Sequence, residues 1–271
     1  MGIKPTAWYY EFYEKGAFPN QKILCEKVES TGCSLNGRHL IKPTLLTGIA
    51  ANTLTLRLRT LKKALENLTI EIDAVNFAIK NHRTGIGGTL NTESSHLETG
   101  GAAIEEIKLD GGGVYQLHYA KIYLALYEFF TNLGSILDRL AYEINLLYKL
   151  GKWENERLDW NKLTDTKQRF TCLLEKKDSN LSRFIENQRA YFKEANNYRN
   201  RLIHDSVLSV DIEHGGHPTQ FRPVLINGKQ TQKPVEASEF CKECKTDVLN
   251  LLNRSYEIIL QNIDSRGNPP W

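Results

Sequence analysis

The sequence predicts an all-α fold, an antiparallel helical bundle, and three observations carry that expectation. Apolar residues recur at alternating steps of three and four along much of the 271-residue chain. The stretches with this period are long, and the glycines and turn-forming residues collect between them. Hydrophobic residues make up 41% and charged residues 25%, enough apolar side chains to fill a core and enough charge to solvate the outer helix faces.

Taken in order, residues 1–43 stand apart. They are rich in aromatics (Trp8, Tyr9, Tyr10, Phe12, Tyr13, Phe18) and poor in helical period, so we expect an N-terminal arm packed on a bundle of residues 44–265. After Thr47, the residues Leu54, Leu58, Leu61, Leu65, Leu68, Ile72, Val75 and Ile79 define a long amphipathic helix. Residues 82–113 hold many glycines, with Thr, Ser and Asn, and carry no sustained period; they read as a long mobile loop. A second long stripe runs through Tyr119, Tyr123, Leu126, Phe130, Leu133, Leu137, Leu140, Ile144 and Leu147. Two long helices with matching stripes should pack together.

A short helix is expected over 163–176, and a third long one from an Asp178-Ser179-Asn180 cap to about Ser206, through Leu181, Phe184, Ile185, Tyr191, Ala195, Tyr198 and Leu202. Between Val207 and Pro234 the pattern alternates weakly. Asn227-Gly228 sits there as a type I′ turn would, so a small β-hairpin insertion is expected over 207–234. The last helix runs from about Ala237 to Ile263 through Phe240, Cys244, Val248, Leu251, Leu252, Tyr256 and Ile259, ahead of a tail at 266–271.

Composition narrows the function classes. No stretch approaches the roughly 18 consecutive apolar residues of a membrane span, because Glu128, Asp138 and Arg139 interrupt the most apolar segments. The N-terminus lacks the apolar run and small residues of a secretory signal, and five cysteines are too few and odd in number for a disulfide framework. A cytoplasmic protein with reduced thiols is the expectation. The formal net charge is only +3, so any nucleic-acid site must rest on local clustering of cations.

The segment Tyr198-Arg199-Asn200-Arg201-Leu202-Ile203-His204-Asp205 puts a guanidinium, an amide and an imidazole near the end of the third long helix. Asn200 and His204 stack one turn apart, and Arg199 sits one residue earlier. Such a trio suits cleavage of a phosphodiester by an internal nucleophile. Histidine moves protons near neutral pH, and arginine grips the anionic phosphorus centre with a planar fork. If the nucleophile is a ribose 2′-hydroxyl, the substrate is RNA and no metal is needed. A helix-end histidine favoured by the helix dipole, with solvated arginines beside it, would produce the same residues without chemistry.

Arg199-Asn200-x-x-x-His204 resembles the R-x4-6-H signature of the HEPN superfamily, helical-bundle proteins that include many metal-independent endoribonucleases, toxins and anti-phage effectors. In that family a polar residue often follows the Arg and the motif lies late in a long bundle helix, as here. The resemblance implies His204 as the proton-transfer group, Arg199 as the phosphate stabiliser and Asn200 as the orienting residue, with no cofactor. It implies a further acid on a neighbouring helix. Asp138, in Ser135-Ile136-Leu137-Asp138-Arg139-Leu140, is similar to such a position; a salt bridge with a bundle arginine is the alternative.

The family builds one cleft from two copies of the motif, so a homodimer with a composite active site is implied, along with an antitoxin or regulatory partner. In members controlled by nucleotidylation a tyrosine lies two residues past the His, and here that place is Ser206. Arg201, Lys193 and Arg189 are candidate RNA-backbone contacts; a solvated helix face is the alternative.

Cys241, Cys244, His214 and His217 could supply four zinc ligands, but Cys244 falls on an apolar helical stripe, so no metal site is expected. Gly85-Ile-Gly-Gly88 lacks the lysine of a phosphate loop. A catalytically silent nucleotide- or RNA-binding HEPN protein, or a helical protein-interaction scaffold, would share most of these features.

Overall fold

A computed structural model describes residues 19–30, 35–85, 93–96, 104–109, 113–151, 158–165, 167, 169–204, 210–211, 220–221, 225–226, 229–230 and 235–266. The described residues are predominantly helical, and their helices are α1 (Pro19–Ser30), α2 (Leu35–Gly85), α3 (Tyr119–Tyr148), α4 (Trp160–Thr164), α5 (Arg169–Lys177), α6 (Ser179–His204) and α7 (Ala237–Arg266). The chain divides into two compact units. One comprises Met1–Thr55, Thr131–Asn196 and Cys244–Trp271, the other Leu56–Phe130 and Asn197–Glu243.

The first unit is a bundle whose helix directions follow from its long-range contacts. Thr47 of α2 hydrogen-bonds Glu143 of α3, and the Asn132 amide of α3 donates to the Ala50 carbonyl of α2 at 2.8 Å. Residue numbers rise on α2 as they fall on α3, so this pair is antiparallel. On α7, Tyr256 meets Glu143 and Asn262 meets Tyr148, so α3 and α7 run the same way. Helix α1 runs with α7, through Asn20 on Asn253 and an ion pair of Lys27 with Asp264.

The core of this unit is Leu133, Ile136, Leu137, Leu140, Ala141, Ile144, Leu147 and Tyr148 of α3, with Leu181, Ile185 and Phe192 of α6 and Val248, Leu251, Leu252, Tyr256 and Ile259 of α7. Trp160 of α4 stands edge-on to Phe192 at 5.9 Å between ring centroids, which ties the short helix to α6.

In the second unit, Leu58, Leu61, Ala64 and Leu68 of α2 and Ile122, Ala125, Leu126, Phe129 and Phe130 of α3 are buried. Arg57 and Glu128 pair at 2.5 Å between the two helices. Phe130 packs on Phe240 of α7, ring centroids 6.2 Å apart. Three antiparallel strands, β1 (Glu93–His96), β2 (Ile104–Leu109) and β3 (Gly113–His118), pair in sequence order. Short strands β4 (Val210–Asp211), β5 (Gln220–Phe221) and β8 (Val235–Glu236) form a second ladder, and β6 (Leu225–Ile226) pairs with β7 (Lys229–Gln230).

Three expectations differ from this structure. The region expected to be an arm contains helix α1 and the start of α2 at Leu35; residues 1–18 lie outside the described residues. Pro19 is the first helical residue, where its missing N–H breaks no bond. Only Gln21 and Leu24 of α1 are buried among its described side chains, an inner face too short to register as a period. Within the span expected to be loop, α2 continues to Gly85 and β1 and β2 follow. The expected helix over 163–176 is two helices, α4 and α5. The break is held by the Thr171 hydroxyl, which donates to the carbonyls of Leu163 at 2.7 Å and Asp165 at 2.8 Å.

Helix α3 ends at a left-handed residue. Lys149 has φ 46, the Leu150 N–H donates to the Asn145 carbonyl at 3.3 Å, and the Gly151 N–H donates to the Asn145 side chain at 2.8 Å. Glycine would hold this turn without the clash of a Cβ. Lys149→Gly is therefore expected to raise stability by about 0.5–1 kcal/mol, relief of about 1–2 kcal/mol offset by glycine's larger unfolded-state entropy. A lower urea midpoint in the variant would contradict this.

Candidate functional site

Arg199, Asn200 and His204 lie on α6, and α6 is capped by the residue just before it. Asp178 accepts the Leu181 N–H at 2.9 Å through one carboxylate oxygen, the geometry of an N-cap. Its other oxygen accepts the Tyr148 hydroxyl at 2.7 Å and the Asn262 amide. Asp178 is buried, so α6 starts from a point fixed between the ends of α3 and α7. From there it runs 26 residues to His204, about 39 Å at 1.5 Å per residue.

Arg199, Asn200, Arg201 and His204 occupy the last two turns of that helix. Asn200 and His204 are four residues apart along it, one turn, and Arg199 precedes Asn200. Their side chains lie outside the described residues, as do Ser206, His214 and His217. Upstream on the same helix, Lys193 is exposed, and Arg189 is exposed and lies 3.7 Å from Asp165. An exposed pair at that distance contributes little and leaves the guanidinium open to solvent.

Asp138 sits on α3 in the first unit, half-buried, and accepts the Trp160 N–H at 3.1 Å. It thereby satisfies one of the orphan donors at the start of α4.

Cys241 and Cys244 are buried thiols of α7. Among the described residues no group of three or more His, Cys, Asp or Glu side chains is placed to hold a metal ion, and no helix is long and apolar enough to cross a membrane.

The structure adds an acid that the sequence reading passed over. Glu143 of α3 is almost fully buried, accepting hydrogen bonds from Thr47 of α2 and, at 2.8 Å, from Tyr256 of α7. Burial pushes its carboxyl up to about 7, against the pull of the hydroxyls of Thr47, Tyr256 and Thr44 and of the Arg139 charge. The signal was present: Glu143 lies three residues after Leu140 and four before Leu147, at a core position of the α3 stripe.

Comparison with protein-family models, with curated proteins and with solved structures finds no match to this chain.

Proposed function

We propose that this chain is a HEPN-like endoribonuclease that cuts single-stranded RNA without a metal ion. The observation that supports this reading best is the course of α6, a long capped helix in a helical chain that carries Arg199, Asn200 and His204 in its final two turns. On this reading the ribose 2′-oxygen attacks the adjacent phosphorus, the bond to the 5′-oxygen breaks, and the products are a 2′,3′-cyclic phosphate and a 5′-hydroxyl. His204 moves the proton lost by the 2′-hydroxyl or gained by the 5′-oxygen. Arg199 holds the charge that builds on the phosphorane oxygens. Asn200 orients the groups around it, Asp138 is the acid contributed by a neighbouring helix, and Arg201, Lys193 and Arg189 follow the RNA backbone.

The reading includes a HEPN-like arrangement of the bundle with a hairpin insertion, two copies sharing one cleft in the cytoplasm, and a toxin or anti-phage role held in check by a partner.

Purified wild type and His204→Ala, incubated with total cellular RNA in EDTA, test it directly. Wild type is expected to leave cyclic-phosphate ends, the variant to lose cleavage while keeping its circular dichroism, and an all-deoxy oligonucleotide to stay intact. Cleavage that needs Mg²⁺, or that survives in the variant, would overturn the reading. RNA binding by wild type without cleavage would favour a catalytically silent family member instead.

A further inference from the structure

We propose that the outward face of α2 between Leu56 and Phe77 is a docking surface for a second copy of the same helix, running antiparallel. Helix α2 is apolar on two sides. Leu58, Leu61, Ala64 and Leu68 are buried, as one stripe of an amphipathic helix requires. Leu56, Ile70 and Phe77 are nevertheless 58%, 66% and 69% exposed. Ile70 follows Leu56 by two heptads and Phe77 follows Ile70 by one, so the three fall on a single seam of the kind that pairs helices. One exposed leucine would need no explanation; three large apolar residues on one seam do.

Charge identifies the occupant. The exposed residues Arg59, Lys62 and Lys63 form a basic first half of this face, and Glu66 and Asp73 an acidic second half. A parallel second copy would set like charges against like. A uniformly acidic or basic partner would match only half of the face. An antiparallel copy turned about a two-fold axis near Glu66 and Asn67 sets the basic half against the acidic half, with Glu66 alone lying near its own counterpart at the axis. It brings Leu56 opposite Phe77 and lays the aliphatic stem of Lys63 over Ile70. It also sets Arg59 beside Asp73 and leaves Lys63 one turn from Glu66 of the other copy. The inference rests on this helix face alone and stands apart from the nuclease reading.

Sedimentation equilibrium of the full chain and its variants tests it. Wild type is expected to dimerise, more weakly at high salt. Ile70→Asp/Phe77→Asp, at positions already facing solvent, should fold normally and weaken the dimer at least tenfold. Lys63→Glu alone and Glu66→Lys alone should each weaken it, and combining the two should restore it, because only an antiparallel self-pairing exchanges these positions. A monomeric wild type overturns the proposal, whether residues 1–18 or a different protein covers the face. An unaffected Ile70→Asp/Phe77→Asp variant, or a double charge reversal without recovery, overturns it as well. A monomeric wild type that still cuts RNA would remove this interface and the two-copy cleft with it, and leave the cleavage chemistry standing.

Discussion

Asp178→Ala is expected to destabilise the protein by about 3 kcal/mol, one of the two largest stability effects we anticipate. One carboxylate ends three separate donor requirements, and alanine abandons all of them. The Leu181 N–H loses its cap, a loss worth about 1 kcal/mol for a helix N-terminus. The buried Tyr148 hydroxyl loses its acceptor, which costs a further 1–3 kcal/mol or so when no water can replace it. The Asn262 amide loses its partner too, but is only half-buried and can turn towards solvent.

Asp178→Asn keeps an oxygen for the Leu181 N–H and should recover about 1 kcal/mol, the worth of the cap. Urea unfolding of wild type and both variants at one pH reads the difference. Equal losses in the two variants would mean that the cap contributes nothing, and a loss under about 1 kcal/mol in the alanine variant would mean that the Tyr148 hydroxyl is satisfied elsewhere. Asp178 also fixes where α6 starts, between the ends of α3 and α7.

That cap was legible in the sequence, and the reason it was legible explains what was not. Asp-Ser-Asn ahead of an apolar stripe is a local signal, and local hydrogen bonding makes it true. Apolar stripes are similarly legible where one face alone is buried: every α7 position expected to face inward, from Phe240 through Cys244, Val248, Leu251, Leu252 and Tyr256 to Ile259, is buried.

Helix α3 shows where this runs out. Beside the expected Leu126, Phe130 and Leu133 it also buries Ile122, Ala125, Phe129 and Ile136, because it is covered from more than one side, and a narrow stripe cannot report that. Glu143 and Asp178 took on roles set by residues 30 to 113 positions away, Thr47 and Tyr256 for the first, Tyr148 and Asn262 for the second. No window along the chain holds those partners together. The outward seam of α2 was hidden for the opposite reason, since its Leu56, Ile70 and Phe77 are spread thinly among charges while a stronger stripe runs along the same helix.

Glu143 should make the protein lose stability as pH rises through neutrality. Its carboxyl titrates at about 7 in the folded chain and near its ordinary 4.5 when unfolded. Between those values the folded state holds a proton that the unfolded state has released. Stability therefore falls with rising pH over that window, the reverse of an ordinary salt-bridged carboxylate. The contribution is fully present below about pH 4.5 and is lost by about pH 7, a change of about 3 kcal/mol at 1.36 kcal/mol per decade.

The cause is the depth of the site. The hydroxyls of Thr47 and Tyr256 and the Arg139 charge all favour the ionised form, yet burial outweighs them. Glu143→Gln keeps the shape and an acceptor oxygen but cannot ionise, so this component of the slope disappears. Urea unfolding of wild type and Glu143→Gln at intervals between pH 4.5 and 8 isolates the group, because every other titration is shared and cancels in the difference. The wild type should lose up to about 3 kcal/mol relative to the variant across that range. A constant difference would show that Glu143 ionises alike in both states. A difference of opposite sign would show that the hydroxyl donors, and not burial, set its proton affinity.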